Sequence, residues 1–435
     1  MVLHDARRSR TTRLDKPPIH KRILNALGPG LITGASDDDP SGIGTYSQAG
    51  AQFGFSIGWT MLFSYPLMVA IQETSARIGR TTGHGIAGTI REHYPGWLVH
   101  AVVGLLFLTN TINIGADLSA MGDAIQLLIG GSRAVYVVLL AAICAGLEIF
   151  VSYARYAPFL KWMTLSLFAY FAALLVVKLD WLELVRGVLV PSFSSDSQFW
   201  TTVVAVLGTT ISPYLFFWQA AQECEDIRAH PGRQALTKAP RQGASAIDRI
   251  RADTYIGMAV SNLVALAIIA TTAATLHPEG IHDIRTSAQA AAALKPLAGN
   301  FAFVLFALGI VGTGMLAIPV LAGSTAYALA EARKWPIGLA KQPQHARAFY
   351  GTIAIATMCG VLLNFLPVDP IRALFLSAVV NGIVAAPVMA IIMLMATRKR
   401  IMGRFVIGRG LQILGWTATA VMAAASAAMV LAAVL

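Results

Sequence analysis

Two proline breaks, each inside an otherwise apolar stretch, constrain this chain more than any other feature. The first is Asp37-Asp38-Asp39-Pro40-Ser41-Gly42, and the second is Thr209-Thr210-Ile211-Ser212-Pro213-Tyr214. Proline removes an amide hydrogen bond and leaves carbonyl groups free to act as ligands. A carboxylate at membrane depth is costly unless it faces a cavity, pairs or holds a cation. Broken helices at matching places in two halves of a hydrophobic chain therefore indicate the central site of a transporter.

The composition predicts an all-α polytopic membrane protein, because 56% of the residues are apolar and only 13% are charged. A large soluble core is excluded. Apolar runs near the roughly 20 residues that cross a bilayer predict about eleven transmembrane helices. The predicted spans are about 25–52 (interrupted), 56–76, 98–128, 134–152, 157–177, 198–222 (interrupted), 252–276, 299–331, 348–366, 371–397 and 410–433.

The net charge of +11 comes from basic residues distributed among the loops as in a membrane protein, and it does not indicate a nucleic-acid partner. Basic residues concentrate in the N-terminal arm and in alternate loops, at 77–91, 155–161, 228–251, 333–347 and 398–409. The positive-inside bias then places the N-terminus in the cytoplasm and, with an odd number of spans, the C-terminus outside. We expect a bacterial inner membrane, with residues 1–24 as a basic cytoplasmic arm near anionic lipid.

One domain is expected, since no hydrophilic stretch is long enough to fold separately. Residues 25–397 form the predicted transport core, as two groups of five spans at about 25–177 and 198–397. Each group has a break in its first span, and five is odd, so the two groups are inverted repeats. Residues 398–435 are left as an additional C-terminal helix. Cys144, Cys224 and Cys359 have no disulfide or zinc spacing.

Several segments together match the pattern of a known family. They are Gly28-Pro29-Gly30 through Asp39-Pro40 to Gln48-Ala49-Gly50-Ala51-Gln52-Phe53-Gly54, then Ser75-Ala76-Arg77, Thr82-Gly83, Asn113 to Gly122 and Gly208 to Pro213. These segments resemble the Nramp family of metal-ion transporters. The resemblance covers about residues 25–397. It implies a LeuT-type fold of five-plus-five inverted helices, with helices one and six broken and a divalent-cation site between them. The implied partners are the transported cation and the bilayer, with no cofactor and no obligate protein partner.

The chain departs from the family pattern at three places. The first-helix signature of the family is Asp-Pro-Gly-Asn, and here its asparagine falls on Gly42. The sixth-helix signature is Met-Pro-His, which here is Ser212-Pro213-Tyr214. In the third helix Asp117 is present, whereas the acid that usually follows falls on Ala120.

These departures predict a preference for hard cations. A thioether favours softer metals, while carboxylate, carbonyl, hydroxyl and water favour hard ions such as Mg²⁺, so loss of the methionine removes the means of preferring Mn²⁺ or Fe²⁺ over Mg²⁺ or Ca²⁺. Mg²⁺ is usually held by one or two carboxylates with several waters. This fits a site in which Gly42 and Ser212 have shorter side chains than the asparagine and methionine of the family. The chain in this respect resembles the Nramp-related magnesium transporters, which lack the methionine. The expected activity is alternating-access transport of Mg²⁺, with Mn²⁺ carried at little preference.

The strongest predicted ligand is Asp39, whose alternative role is to cap the helix that follows. Asp37 and Asp38 are further candidates, although three consecutive residues cannot all face one cavity. Backbone carbonyls are proposed as ligands at Ser36 and Thr209. Ser212 is expected either to bind the cation or to cap the next half-helix.

Candidates for a pathway or relay are Asp117, Tyr214 and Asn381. An unperturbed phenol titrates near pH 10, so Tyr214 is interpreted as a wall of the cavity. With Ala120 in place of the second acid, transport is expected not to be obligatorily coupled to protons. Asn262 is interpreted as structural, and Glu148 and Asp123 are expected near or between packed helix ends.

Other functions remain as alternatives: a proton-coupled Mn²⁺ or Fe²⁺ transporter, a cation channel, and an amino-acid carrier of the same fold. The three aspartates at the first break argue against an anionic substrate group. An enzyme is not expected, since no His-Glu-x-x-His motif is present and the nine histidines lie almost entirely in tails and loops.

Overall fold

The computed structural model describes residues 34, 37–151, 165–339 and 341–434, and these residues contain no β-strand. The prediction of an all-α protein is therefore confirmed. The N-terminal part contains α1 (Pro40–Phe53), α2 (Trp59–Thr82), α3 (Ile86–His93), α4 (Gly96–Ile129), α5 (Arg133–Phe150), α6 (Phe168–Val176) and α7 (Trp181–Leu189). The remainder contains α8 (Ser197–Thr210), α9 (Pro213–Ala229), α10 (Gly243–Thr275), α11 (Ser287–Ala292), α12 (Ala302–Arg333), α13 (Arg347–Leu363), α14 (Pro370–Ala396) and α15 (Arg409–Val434).

The observed helices follow the predicted spans. Seven described segments are long and apolar enough to cross a membrane, and an eighth is possible if the bent pair α1 and α2 is counted. That pair bends by 109°. The bend starts at Gly54, whose φ of 59° is a conformation that favours glycine. The first half of span 25–52, and residues 157–164 of the fifth span, lie outside the described residues.

The two broken segments occupy the centre of the molecule. All residues from Pro40 to Ala51 of α1 are buried, so this helix is enclosed on every side. The same holds for Thr202–Thr210 of α8 and for Pro213–Ala221 of α9. α1 packs against α10 and α14, and α9 packs against α2 and α12. By contrast, α15 lies at the periphery, where it contacts α14, α8 and α2.

Glycines allow the central helices to approach closely. A Cβ atom at Gly208 of α8 would overlap the carbonyl oxygen of Ala378 in α14, and one at Gly382 would lie 2.6 Å from the Val204 oxygen. α8 and α14 are therefore in backbone contact beside the second break. A methyl group at position 208 has no space without a shift of one helix.

We predict that Gly208→Ala lowers the thermal stability of the purified protein. Overpacking of a close contact typically costs about 1–3 kcal/mol. Gly146→Ala is the matched control, because no atom outside its own helix lies within 4 Å of a Cβ at this position of α5. The measurement is the unfolding temperature in detergent for both variants. Equal unfolding temperatures would contradict the close α8–α14 contact.

Candidate functional site

Asp39 lies at the first break and joins three helices. It is the N-cap of α1, where Oδ1 accepts a hydrogen bond from the Gly42 amide at 2.7 Å. Oδ2 accepts from Asn113 Nδ2 of α4 at 3.0 Å and from the Tyr214 hydroxyl of α9 at 3.3 Å. Asp39 as a whole is 2% exposed. Asp39 therefore has the capping role that was the alternative to metal binding, while its second oxygen faces the neighbouring helices.

Asp37 and Asp38 face a different helix. The Ser261 hydroxyl of α10 lies 2.6 Å from Asp37 Oδ2 and 3.1 Å from Asp38 Oδ1. Both aspartates are buried, and Asp37 Oδ1 has no hydrogen-bond partner among the described residues. The three consecutive carboxylates thus divide between two sides of the first break, in agreement with the helical geometry.

The second break has the opposite hydrogen-bond chemistry. α8 ends at Thr210 and α9 begins at Pro213, which has no amide to donate to the carbonyl group of Thr209. The Ser212 hydroxyl instead donates to the Gly208 and Thr209 carbonyl oxygens at 2.7 and 2.8 Å. Ser212 makes no side-chain cap to α9. Its hydroxyl oxygen retains lone pairs that can accept or bind a cation.

The two breaks meet at Gly42. A Cβ atom there would lie 3.1 Å from the Asp37 carbonyl oxygen and 3.4 Å from Thr209 Oγ1. Gly42 therefore contributes space, and its amide is already bonded to Asp39. The family's asparagine would not fit at this position without movement of its neighbours. Ser36, the other backbone candidate, lies outside the described residues.

One face of α4 lines the first break. Asn113, Asp117 and Met121 follow one another at intervals of one helical turn, so they share this face. The Ser41 amide is directed at Asp117, but neither carboxylate oxygen has a hydrogen bond of normal geometry within the described part of the chain. Met121 packs its sulfur atom into the space left by Gly314, beside Pro40.

Asn113 is the residue of the site that sequence analysis missed as an individual candidate. Its signal was an amide at mid-membrane four residues before Asp117, which places both side chains on one helix face. Asn381 of α14 donates to Asn113 Oδ1 at 3.5 Å and so extends the polar cluster. Asn262 lies elsewhere, with Nδ2 3.3 Å from the Ser64 hydroxyl.

Two other acids lie near helix ends, as expected. Asp123 accepts from the Ser287 amide at 2.9 Å, close to the end of α4. Glu148 lies in the last turn of α5, 4% exposed, and its Oε1 has no partner among the described residues. A Cβ at Gly323 of α12 would lie 3.2 Å from that oxygen.

The aspartates do not form a preassembled metal cage. Within the described ranges, no three carboxylate, imidazole or thiol groups lie together in a way that could hold a metal ion. Nor does any described lysine or arginine form an ion pair with Asp37, Asp38, Asp39 or Asp117. Among the described residues, the arrangement brings buried carboxyl groups together with neutral amide, hydroxyl and carbonyl groups and with no paired lysine or arginine.

The comparisons with known proteins cover nearly the whole chain. A family model described as "Natural resistance-associated macrophage protein-like" matches residues 30–432. A protein of Pectobacterium carotovorum named "Divalent metal cation transporter MntH" is 28% identical over 422 residues, covering 94% of this chain and 92% of that protein. A Yersinia enterocolitica protein of the same name is 28% identical and covers 92% of this chain and 94% of its own length.

The fold matches a solved structure at lower identity. The crystal structure of the Eremococcus coleocola manganese transporter aligns with a TM-score of 0.75 and 15% identity, over 95% of this chain and 87% of that one. At this identity the likeness shows the fold alone. It confirms the predicted LeuT-type architecture.

We predict that Ser212→Ala destabilises the protein by about 1–3 kcal/mol, because the Gly208 and Thr209 carbonyl groups lose their hydroxyl donor. Thr210→Ala is the matched control. Its hydroxyl bonds to the Val206 and Leu207 oxygens at 2.9 and 3.2 Å, inside a continuous helix. Those oxygens retain backbone donors, so the control should lose less. Chemical unfolding in detergent measures both. A larger loss in Thr210→Ala would contradict the assignment.

Proposed function

Because the chain belongs to the Nramp family, we propose that it is a secondary transporter of divalent metal cations. Its described apolar helices make it an integral membrane protein, and membership in a transporter family excludes the enzymatic alternative. The observation that carries the proposal is Asp39, a buried carboxylate at a helix break that contacts α4 and α9. The names of the MntH relatives support a divalent metal cation as the substrate, and the bacterial inner membrane remains the proposed location.

Mn²⁺ is the proposed principal substrate. The expected preference for Mg²⁺ finds no support in the relatives, whose names specify divalent metals or manganese. The donors around the first break are oxygen atoms, and carboxylate, carbonyl and water suit Mn²⁺ as well as Mg²⁺. Discrimination against Mg²⁺ should therefore be weak. The sulfur atom of Met121, beside Pro40, is a soft group close to the first break.

We assign the cation to the space between Asp39 and the second break. Asp39 would supply the charge, Asn113 an amide oxygen, and Thr209 and Ser212 a carbonyl and a hydroxyl oxygen. Asn113 donates to Asp39 in the cation-free arrangement, and a rotation of its amide would turn the oxygen toward a bound ion. Asn113 would thus supply the amide-oxygen ligand that Gly42, which has no side chain, cannot supply.

The charge balance supports proton coupling, contrary to the expectation of uncoupled transport. That expectation rested on Ala120 and Tyr214. Four buried aspartates, Asp37, Asp38, Asp39 and Asp117, have no described lysine or arginine as an ion-pair partner. Four carboxylates cannot all carry charge in such a space without a counter-ion. Cation binding would then release protons, and cation affinity would fall as the pH is lowered.

The first transport prediction concerns Asp39 and Asn113. Asp39→Ala should abolish Mn²⁺ uptake into proteoliposomes. Asn113→Ala should reduce it by about tenfold, which corresponds to about 1.4 kcal/mol of lost ligand free energy. Asn262→Ala is the matched control, since its amide contacts Ser64 and lies outside the site. Uptake by Asp39→Ala at the wild-type rate would exclude Asp39 as the central ligand.

The second transport prediction concerns protons. Mn²⁺ uptake should change the pH of the vesicle lumen, because the cation displaces protons from the carboxylates, and Asp117→Asn should reduce the protons moved per cation, because it removes one of the four exchangeable carboxylates. A dye inside the vesicles reports internal pH during uptake. Unchanged internal pH during vigorous wild-type uptake would contradict coupling, and saturable counterflow would separate a carrier from a channel.

A further inference from the structure

A cleft of about 540 Å³ opens between the beginning of α10 and the beginning of α15. Arg251, Tyr255 and Ile256 of α10 form one wall, and Leu411 and Leu414 of α15 form the other. Glu73 of α2 lies at its floor. This cleft is separate from the proposed cation site, which lies further along α10 at the level of Ser261.

The polar end of the cleft carries excess positive charge. Glu73 is the only acid in its lining, and it is shared by two arginines: Arg77, and Arg251 at 3.1 Å. The Arg251 side chain is 55% exposed, so part of its guanidinium remains open to a ligand. Arg409 is the first residue of α15, directly before the cleft residue Gly410.

The short helical segment 399–405, which precedes α15, carries further basic groups. Arg404 donates to the Pro240 carbonyl oxygen at 2.5 Å, and a Cβ at Gly243 would overlap the Phe405 ring. The segment 399–405 is therefore packed against the start of α10. Lys399 and Arg400 are exposed and form no ion pair with any described carboxylate.

The other end of the cleft is apolar and open. Ile256 is 49% exposed, Leu414 is 37% exposed and Tyr255 is 44% exposed. These side chains follow the basic end along two helices that run into the hydrocarbon region. A water-soluble phosphate compound would use only the basic end. A lipid would use both ends, with its phosphate at the arginines and an acyl chain along the apolar walls.

We propose that this cleft binds the headgroup of an anionic phospholipid in the cytoplasmic leaflet. The Arg251 guanidinium contacts the phosphate, and Ile256, Leu411 and Leu414 contact the first part of an acyl chain. The bound lipid contacts the beginnings of both α10 and α15 and so stabilises their relative position. Ten residues further along the same helix, Ser261 holds Asp37 and Asp38. The site thus connects the lipid environment to a helix that contacts the first break.

The test is native mass spectrometry of the full-length protein from micelles that contain phosphatidylglycerol or phosphatidylcholine with the same acyl chains. One phosphatidylglycerol should remain bound at concentrations where phosphatidylcholine does not. Arg251→Gln removes the phosphate contact, and Leu414→Trp fills the apolar part of the cleft while all charges stay in place. Each should reduce the bound fraction by about tenfold.

Arg347→Gln is the matched control, because it removes one exposed arginine at the start of α13, away from α10 and α15. It should leave lipid binding unchanged. Monodisperse elution confirms folding of each variant. Equal retention of phosphatidylcholine, unchanged binding in both cleft variants, or an equal loss in the control would overturn the proposal. Displacement by glycerol phosphate at lipid concentrations would show a site for a free phosphate compound and would overturn it as well. None of these readouts depends on transport.

Discussion

The hydrogen bonds of the Asp39 carboxylate are the interaction on which the centre of this structure depends. Pro40 begins α1, and Asp39 accepts the amide of Gly42 at 2.7 Å. The same side chain accepts from Asn113 and Tyr214, so one carboxylate ties α1 to α4 and α9. Charge-assisted hydrogen bonds of this kind are stronger than neutral ones, and burial increases the penalty of losing them. A cation bound at Asp39, as we propose, would exchange with these donors, which would couple its binding to the positions of three helices.

The first break leaves backbone amides without partners, and the second leaves backbone carbonyl groups without partners. At the first, an acceptor side chain satisfies an amide at the beginning of α1. At the second, the donor hydroxyl of Ser212 satisfies two carbonyl groups at the end of α8. The end of α8 is the negative end of that helix, where a cation is favoured. Close packing at Gly42 and Gly208 brings these groups together, because a Cβ atom would be crowded at Gly42 and would overlap a backbone oxygen at Gly208.

Much of the fold could be predicted from the sequence, because proline breaks and apolar run lengths are local signals. The importance of Asp39, Ser212 and Asp117 was also visible, since each is polar at membrane depth. The role of Asn113 was not, because its partner Asp39 lies 74 residues away and only packing brings them together. Likewise, no local pattern shows that Asp37 and Asp38 accept hydrogen bonds from Ser261 of α10, on a different side of the first break from Asn113 and Tyr214. The preference for Mg²⁺ was predicted from absent sulfur and imidazole groups, one position at a time, and the names of the relatives give it no support.

The central claim is that a cation binds at Asp39 in exchange for protons. It is tested most directly by calorimetric titration of the purified protein with Mn²⁺ in buffers of different ionisation enthalpy. The account predicts one binding event that is absent in Asp39→Ala, with an observed enthalpy that changes with the buffer because protons are released. Binding that survives in Asp39→Ala, or an enthalpy independent of the buffer, would contradict it.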